Sequence, residues 1–495
     1  MDLLRTKSIE QSIRDTEEPE YQLRKELSAW DLTVFGIGVI IGTGIFVLTG
    51  IAAATKAGPA ISLSFVVAGV ACALAALCYA EFASTLPVAG SAYTFSYATL
   101  GELLAWIIGW DLILEFTLGA AAVSVGWAQY LASLLPVPES IAGEGRVNLV
   151  AAAIVLVLTG IMIVGVKLSS RFNAVMVAIK LAVVGLFIAA GAVKIRAANW
   201  SPFIPPAGEA PEAANAVDTG SPLIQALFGI EPLSYGLLGI GFGAAIVFFA
   251  FIGFDVVATT AEETRRPQRD LPIGILGSLA ICTVLYVVVS LVLTGIVKYT
   301  ELNTAAPMAD ALEAVGYRWI ADLVSLGALA GLTTVILVLM MGQSRVLFAM
   351  SRDRLLPGWL SAVHPRFGTP WLISLITGLV VAAIAAFVPL STLADMVNIG
   401  TLFAFVLVSI GVVVLRRTRP DLRRAFRTPW VPVVPALAVL SCLFLMLNLG
   451  TLTWWRFLVW MAAGLVVYFL YGYRRSRLAR GREAPAVAAA RGPGR

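Results

Sequence analysis

Charge is scarce in this chain. Only 13% of its 495 residues are Asp, Glu, Lys or Arg, against roughly 25% in an ordinary soluble domain. Histidine is scarcer still: there is one, His364, which leaves no room for a His-based metal site or a catalytic triad of the usual kind. The four cysteines, Cys72, Cys78, Cys282 and Cys442, all lie in apolar runs and read as small buried hydrophobes, not as disulfide partners or metal ligands. Residues 1–30 are polar and charged, so no cleaved secretory signal is expected. With no nucleophile–base pair and no metal cluster, neither an enzyme nor a cofactor site is expected.

What the chain has in abundance is apolar length. Hydrophobic residues make up 59% of it, and runs of 18 or more recur, each long enough to cross the hydrocarbon of a bilayer. The expected fold class is an all-α membrane protein with twelve spans, near 31–54, 60–86, 102–135, 147–165, 171–193, 236–262, 270–298, 320–350, 370–388, 392–415, 429–449 and 454–473. Basic residues orient these spans. With the N-terminus inside, 27 of the 35 Lys and Arg fall in inside segments, seven in outside loops, and Lys180 within a span. That bias supports an even number of spans with both termini cytoplasmic, in the cell membrane.

No linker is large enough for a soluble domain. The longest, 194–235, is rich in Pro, Ala and Gly and is expected to cap the bundle from outside. The net charge of +5 reflects the inside bias and implies no nucleic-acid partner. The tail arginines Arg474, Arg475, Arg477, Arg480 and Arg482 are expected to rest on anionic lipid headgroups.

Glycine and polar residues in mid-span need a reason, because unsatisfied backbone in hydrocarbon costs several kcal/mol. The first span reads GIGVIIGTGIF over 36–46 and the sixth reads FFAFIGFD over 248–255. Taken singly, each fits close helix packing through small residues. Taken together, they are corresponding members of two five-helix halves, spans 1–5 and 6–10, and interruptions at matching places point to a transporter substrate site. The first span runs outward, so the helix restarting after Gly44 offers the amides of Gly42, Thr43 and Gly44 to an anion at the midplane. The sixth runs inward, so its first half ends there with spare carbonyls near Phe249, Ala250 and Ile252, suited to an ammonium. A carboxylate site facing an ammonium site describes the α-carbon of an amino acid.

A charge at a helix centre costs about 2.5–3.5 kcal/mol even on the mild insertion scale, so each is a functional candidate. Lys180 sits mid-span; it is either a structural lysine held by carbonyls or a proton carrier, since burial disfavours its charged form. Glu115, midway along the third span, has three readings: it faces a cationic substrate side chain, takes up a proton, or pairs with another helix. Asp255 either caps the restarting inner half of the sixth span or joins the transport chemistry. Glu81 and Asp111 lie nearer the membrane faces and are not assigned a role.

These stretches carry a resemblance. The chain resembles the amino acid–polyamine–organocation superfamily, and within it bacterial members of the cationic amino acid transporter family. The matching segments are 36–46, 248–270 (FFAFIGFDVVATTAEETRRPQRD), 345–357 (RVLFAMSRDRLLP) and 364–370 (HPRFGTP); with the span count they cover residues 25–475. The resemblance implies two inverted five-helix repeats plus two C-terminal helices. The resulting division is 1–30 cytoplasmic segment, 31–193 first repeat, 194–235 outer loop, 236–415 second repeat, 429–473 last two helices and 474–495 basic tail.

It implies that Gly42, Thr43 and Gly44 hold the carboxylate and that Ile40 with the carbonyls of Phe249, Ala250 and Ile252 lines the ammonium side, Phe249 acting as an aromatic gate. Lys180 matches a fifth-helix lysine that stands in place of a sodium ion in proton-coupled relatives. Eukaryotic cationic transporters commonly have fourteen spans; this chain has twelve. Its eighth span is apolar over Val335–Met341, which suits small neutral substrates at least as well as cationic ones. The expected function is secondary active, proton-coupled uptake of cationic or small neutral L-amino acids by alternating access, with the amino acid, protons and membrane lipids as partners. An exchanger, or a sensor without transport, remains the alternative, and a small membrane subunit stays open. A channel would need a carbonyl filter or charged ring, and neither is visible.

Overall fold

The computed structural model describes residues 25–86, 91–138, 141, 147–165, 170–208, 220–230, 234–476 and 478. Most of the N-terminal segment, part of the outer loop, and Arg477, Arg480 and Arg482 of the basic tail lie outside the described residues.

Twelve apolar helical stretches account for the bundle among the described residues. Eight helical runs are long and apolar enough to cross a membrane alone, and the shorter Ala29–Ile40, Leu149–Val164, Trp371–Phe387 and Val433–Leu447 complete the set. Gly44–Thr85 is one continuous helical run; it holds the second part of span 1 and all of span 2. The remaining spans are Glu102–Leu134 (3), Ser170–Ala192 (5), Gly236–Glu263 (6), Pro267–Ile296 (7), Arg318–Arg352 (8), Leu390–Thr418 (10) and Thr451–Val467 (12). Short helices also lie in the linkers among the described residues: Ser91–Thr99 between spans 2 and 3, Leu223–Phe228 between spans 5 and 6, and Pro307–Ala314 between spans 7 and 8.

The bundle is apolar outside and holds its polar groups within. Val157, Val284, Leu440, Val459 and Leu470 are each at least 60% exposed, whereas Glu115, Lys180 and Asp255 are at most 1% exposed. Such a distribution suits hydrocarbon as the surrounding solvent. Span 6 is central, 83% of its most apolar stretch being buried, and span 12 is peripheral at 22%.

Long-range bonds set the packing. Span 3 lies along span 8, and span 7 along spans 1 and 2. The Asn398 side chain on span 10 donates to the Ala245 carbonyl of span 6 over 2.8 Å. Trp106 and Trp110 of span 3 donate to the carbonyls of Gly464 and Trp460 on span 12, each over 2.9 Å. At the end of the bundle where the basic loops gather, Glu81 of span 2 is buried and takes Arg416 in a two-point bond, 2.9 and 2.7 Å. Arg424 lies 3.3 Å from the same carboxylate, and the Thr428 amide donates to it over 2.8 Å. The segment between spans 10 and 11 is thereby fastened to span 2.

Candidate substrate site

Span 1 begins with a capping box. The Ser28 hydroxyl accepts from the Asp31 amide, and the Asp31 carboxylate accepts from the Ser28 amide over 2.9 Å, meeting two of the orphan donors of a helix start. The helix Ala29–Ile40 closes with Ile41 N–H donating to Ile37 O, and Ile41 is extended (ψ 94°). The chain restarts as Gly44–Leu48 in π geometry, with Phe46 N–H donating to Gly42 O over 3.4 Å, then passes through Thr49–Ala52 into a second π turn, Ala53–Ala57. Gly42, Thr43 and Gly44 therefore stand at the N-terminal end of a helix, where amide hydrogens lack intrahelical acceptors.

Span 6 breaks in the matching place. Gly236–Val247 is α-helical, Phe248–Phe251 forms a 3-10 turn, Ile252 is extended (ψ 138°), and Asp255–Glu263 continues as 3-10 helix. Nine residues of 3-10 helix are unusual, and tight or wide turns inside a span commonly mark a working segment. Gly253 makes the break possible: its φ is +112°, and a Cβ there would fall 2.5 Å from Val39 of span 1. A side chain fits neither the torsion nor the space.

The two breaks touch. A Cβ on Gly44 would overlap the Ala250 backbone and lie 2.5 Å from the Ala250 Cβ. Thr43 is fully buried, its hydroxyl unpaired, and Gly126 of span 3 makes room for it. The expected ammonium side is built from backbone, and three of its carbonyls each accept one hydrogen bond within the protein. Ile252 N–H donates to Phe249 O over 3.3 Å, and the Tyr286 hydroxyl of span 7 lies 2.7 Å from Ile40 O and 3.0 Å from Ala250 O. Each carbonyl retains a second lone pair for a ligand. Tyr286 thus joins the two breaks, a role no sequence pattern announced: one tyrosine in an apolar run has no periodicity to betray it.

Lys180 reaches the same place from span 5. Its Nζ donates to the carbonyls of Gly38 and Ile41, the latter over 3.3 Å, at the C-terminal end of the first half-helix, where a cation is favoured by the helix dipole. Gly331 of span 8 leaves space for its stem, since a Cβ there would lie 2.9 Å from Lys180 Cε. The contact with these carbonyls is common to both readings of the sequence, the structural lysine and the proton carrier.

Glu115 meets no cation among the described residues. Asp255, Asp111 and Thr401 of span 10 are its polar neighbours. Its Oε1 and both oxygens of Asp111 and Asp255 are buried without hydrogen-bond partners. Phe254, which precedes the second half of span 6, offers no side-chain cap, and the Asp255 carboxylate lies beside the amides of Gly253, Asp255 and Val256 at that helix start. Asp111 is buried on the same helix face as Glu115, one turn nearer the start of span 3, as their i, i+4 spacing places them.

Span 8 supplies the apolar wall. Val335 is the side chain nearest the open side of Gly42, and Leu339 packs at Gly119 of span 3.

Broken spans around a backbone-lined centre are a transporter's construction, and the comparison with known proteins says which. Residues 27–470 match the family described as Amino acid permease. The chain belongs to the amino acid permease family. The permease is 49% identical over 490 residues to the branched-chain amino acid permease BcaP of Bacillus subtilis (strain 168), covering 96% of this chain and 99% of that protein. It is 48% identical over 467 residues to a methylthioribose transporter of the same organism, covering 92% and 95%. Against the vacuolar cationic amino acid transporter 4 of Arabidopsis thaliana the identity is 38% over 429 residues, 85% of this chain and 68% of that one. These relatives are named as transporters, not enzymes.

Proposed function

We propose that this permease carries neutral aliphatic L-amino acids into the cell together with protons, by alternating access of a site at the two breaks. The carboxylate lies on the amides of Gly42, Thr43 and Gly44, and the ammonium on the free lone pairs of Ile40, Phe249, Ala250 and Ile252. The side chain points to the Val335–Leu339 wall, with Phe249 gating the site. Residues 31–193 and 236–415 act as the two inverted repeats. The basic end of the bundle faces the cytoplasm with both termini, and the tail arginines meet anionic lipid.

The single observation that carries the coupling is Lys180 Nζ on the carbonyls of Gly38 and Ile41. A protonated amine holds the first half-helix by its C-terminal carbonyls; a neutral amine loses the charge assistance, roughly half the strength of such bonds. Loading and losing a proton there tightens and loosens span 1. A proton gradient, inside alkaline, should drive accumulation of labelled isoleucine or alanine in proteoliposomes, with no need for sodium. Lys180→Ala should abolish accumulation while leaving the protein folded. Uptake that requires sodium at fixed pH would sink the coupling.

A second reading, cationic substrates, is favoured by one observation, the unpartnered carboxylates of Glu115, Asp111 and Asp255. Competition by arginine and lysine against labelled isoleucine separates the two.

A further inference from the structure

One cavity lies between the inner half of span 1 and spans 5, 6 and 8, with a volume of about 120 Å³, room for several waters. It adjoins the site at the breaks, Val338 and Val256 lining its near end, and runs from there to Arg345. Arg345, which lines it, is ten residues along span 8 from Val335, about 15 Å nearer the basic end. Its polar lining is Asp31, Asn173, Thr260, Glu263 and Arg345, with Met341 on its apolar side. Arg345 Nη2 bonds Glu263 Oε1 over 2.8 Å and Nη1 lies 3.3 Å from Thr259 Oγ1. Both charged side chains are about 30% exposed, so the cavity meets water.

The charges are arranged for a zwitterion. A guanidinium has five N–H donors in a planar fork that matches a carboxylate, and two of Arg345's are engaged by Glu263 and Thr259. Glu263 and Asp31 supply the opposite sign for an ammonium. The pair is also a fastening. The Glu263 carbonyl accepts from the amides of Glu26 and Leu27 over 2.9 and 3.0 Å, and Arg265 N–H donates to Leu27 O over 2.9 Å. Whatever moves Glu263 moves the segment leading into span 1.

We propose that this cavity is a release site for the amino acid on the cytoplasmic side. The substrate carboxylate takes Arg345, the ammonium takes Glu263 and Asp31, and displacement of Glu263 from Arg345 frees the entry to span 1 so that the path opens. The proposal rests on the transport reading above. It goes beyond that reading by giving the permease a second, charge-based substrate site on one face only.

The test is a KM measured from each face, using right-side-out and inside-out membrane vesicles and labelled isoleucine. Arg345→Gln should raise the cytoplasmic-face KM about tenfold and leave the outer-face KM within twofold. Glu263→Gln should raise the cytoplasmic KM less, because Asp31 remains. Arg345→Lys keeps the charge but not the fork, should fold if Arg345→Gln does not, and should give an intermediate cytoplasmic KM. Equal changes at both faces, or a cytoplasmic KM within twofold of wild type in all three variants, would overturn the release site and leave Arg345–Glu263 a strut. Wild-type vesicles that carry no amino acid in either direction would overturn the transport reading itself, and this site with it.

Discussion

Removing one oxygen atom tests whether the two breaks act as a unit. In Tyr286→Phe the ring keeps its neighbours Phe65 and Phe251, at centroid distances of 5.5 and 5.4 Å, so the change isolates the hydroxyl. That hydroxyl has one proton and two acceptors, Ile40 O and Ala250 O, each at the end of an interrupted helix. Leaving a buried acceptor unsatisfied costs about 1–3 kcal/mol. One shared proton puts the loss near the lower half of that range, about 1–2 kcal/mol. The bridge spans spans 1 and 6, so the loss falls on the state with the breaks pressed together. That state should be depopulated by a factor of about 5–30. Isoleucine transport by purified Tyr286→Phe should show a KM changed at least fivefold, and its unfolding midpoint in detergent should fall. A variant within twofold of wild type in KM, with the same midpoint, would refute the bridge as a coupling element.

Three other outcomes follow from the same geometry. Gly44→Val should abolish transport, because the new Cβ overlaps the Ala250 backbone, which cannot step aside as a side chain can; overpacking of this kind costs about 1–3 kcal/mol or more, and a transporting Gly44→Val would show that the breaks do not meet as described. Glu115→Gln, measured by competition of labelled isoleucine and labelled arginine, should leave isoleucine transport intact if Glu115 serves cationic side chains, with arginine weakened by about 1–3 kcal/mol; equal loss of both assigns Glu115 to protonation or packing. Glu81→Gln leaves Arg416 and Arg424 short of their buried counter-charge and should destabilise the fold by up to about 3 kcal/mol, read as a lower unfolding midpoint with an unchanged KM.

The fold was largely legible because hydrocarbon imposes the simplest pattern a sequence can carry. Twelve apolar runs gave the spans, and the glycines at 42, 44 and 253 gave the breaks, since only a place without Cβ atoms lets Gly44 meet Ala250 and Gly253 meet Val39. The short helices Ser91–Thr99 and Pro307–Ala314 were hidden because their ends carry ordinary turn residues and their lengths fall below a span. The second half of span 6 being 3-10 helix was hidden too: i, i+3 and i, i+4 spacings of apolar residues look alike over nine residues. Within the site, Lys180 and Glu115 were conspicuous as charges in apolar runs. Tyr286 was not, because its role depends on which carbonyls lie beside it in three dimensions. Asp111 was assigned no role, although its four-residue spacing from Glu115 puts both on one buried face of span 3.

The fastening of span 2 by Glu81 changes what the arginine tally means. Six of the cations behind the expected orientation, Arg416, Arg417, Arg419, Arg423, Arg424 and Arg427, lie at the end of span 10 and between it and span 11, and in the finished structure Arg416 and Arg424 meet a carboxylate that is itself buried. While the chain is being inserted that partnership does not yet exist, and all six are free to hold the segment back from crossing. The arithmetic of positive charge therefore records the history of insertion. The potential that the mature surface presents to lipid and solute is weaker than the count of arginines, and a variant without Glu81 would carry the insertion-stage charge into the folded state.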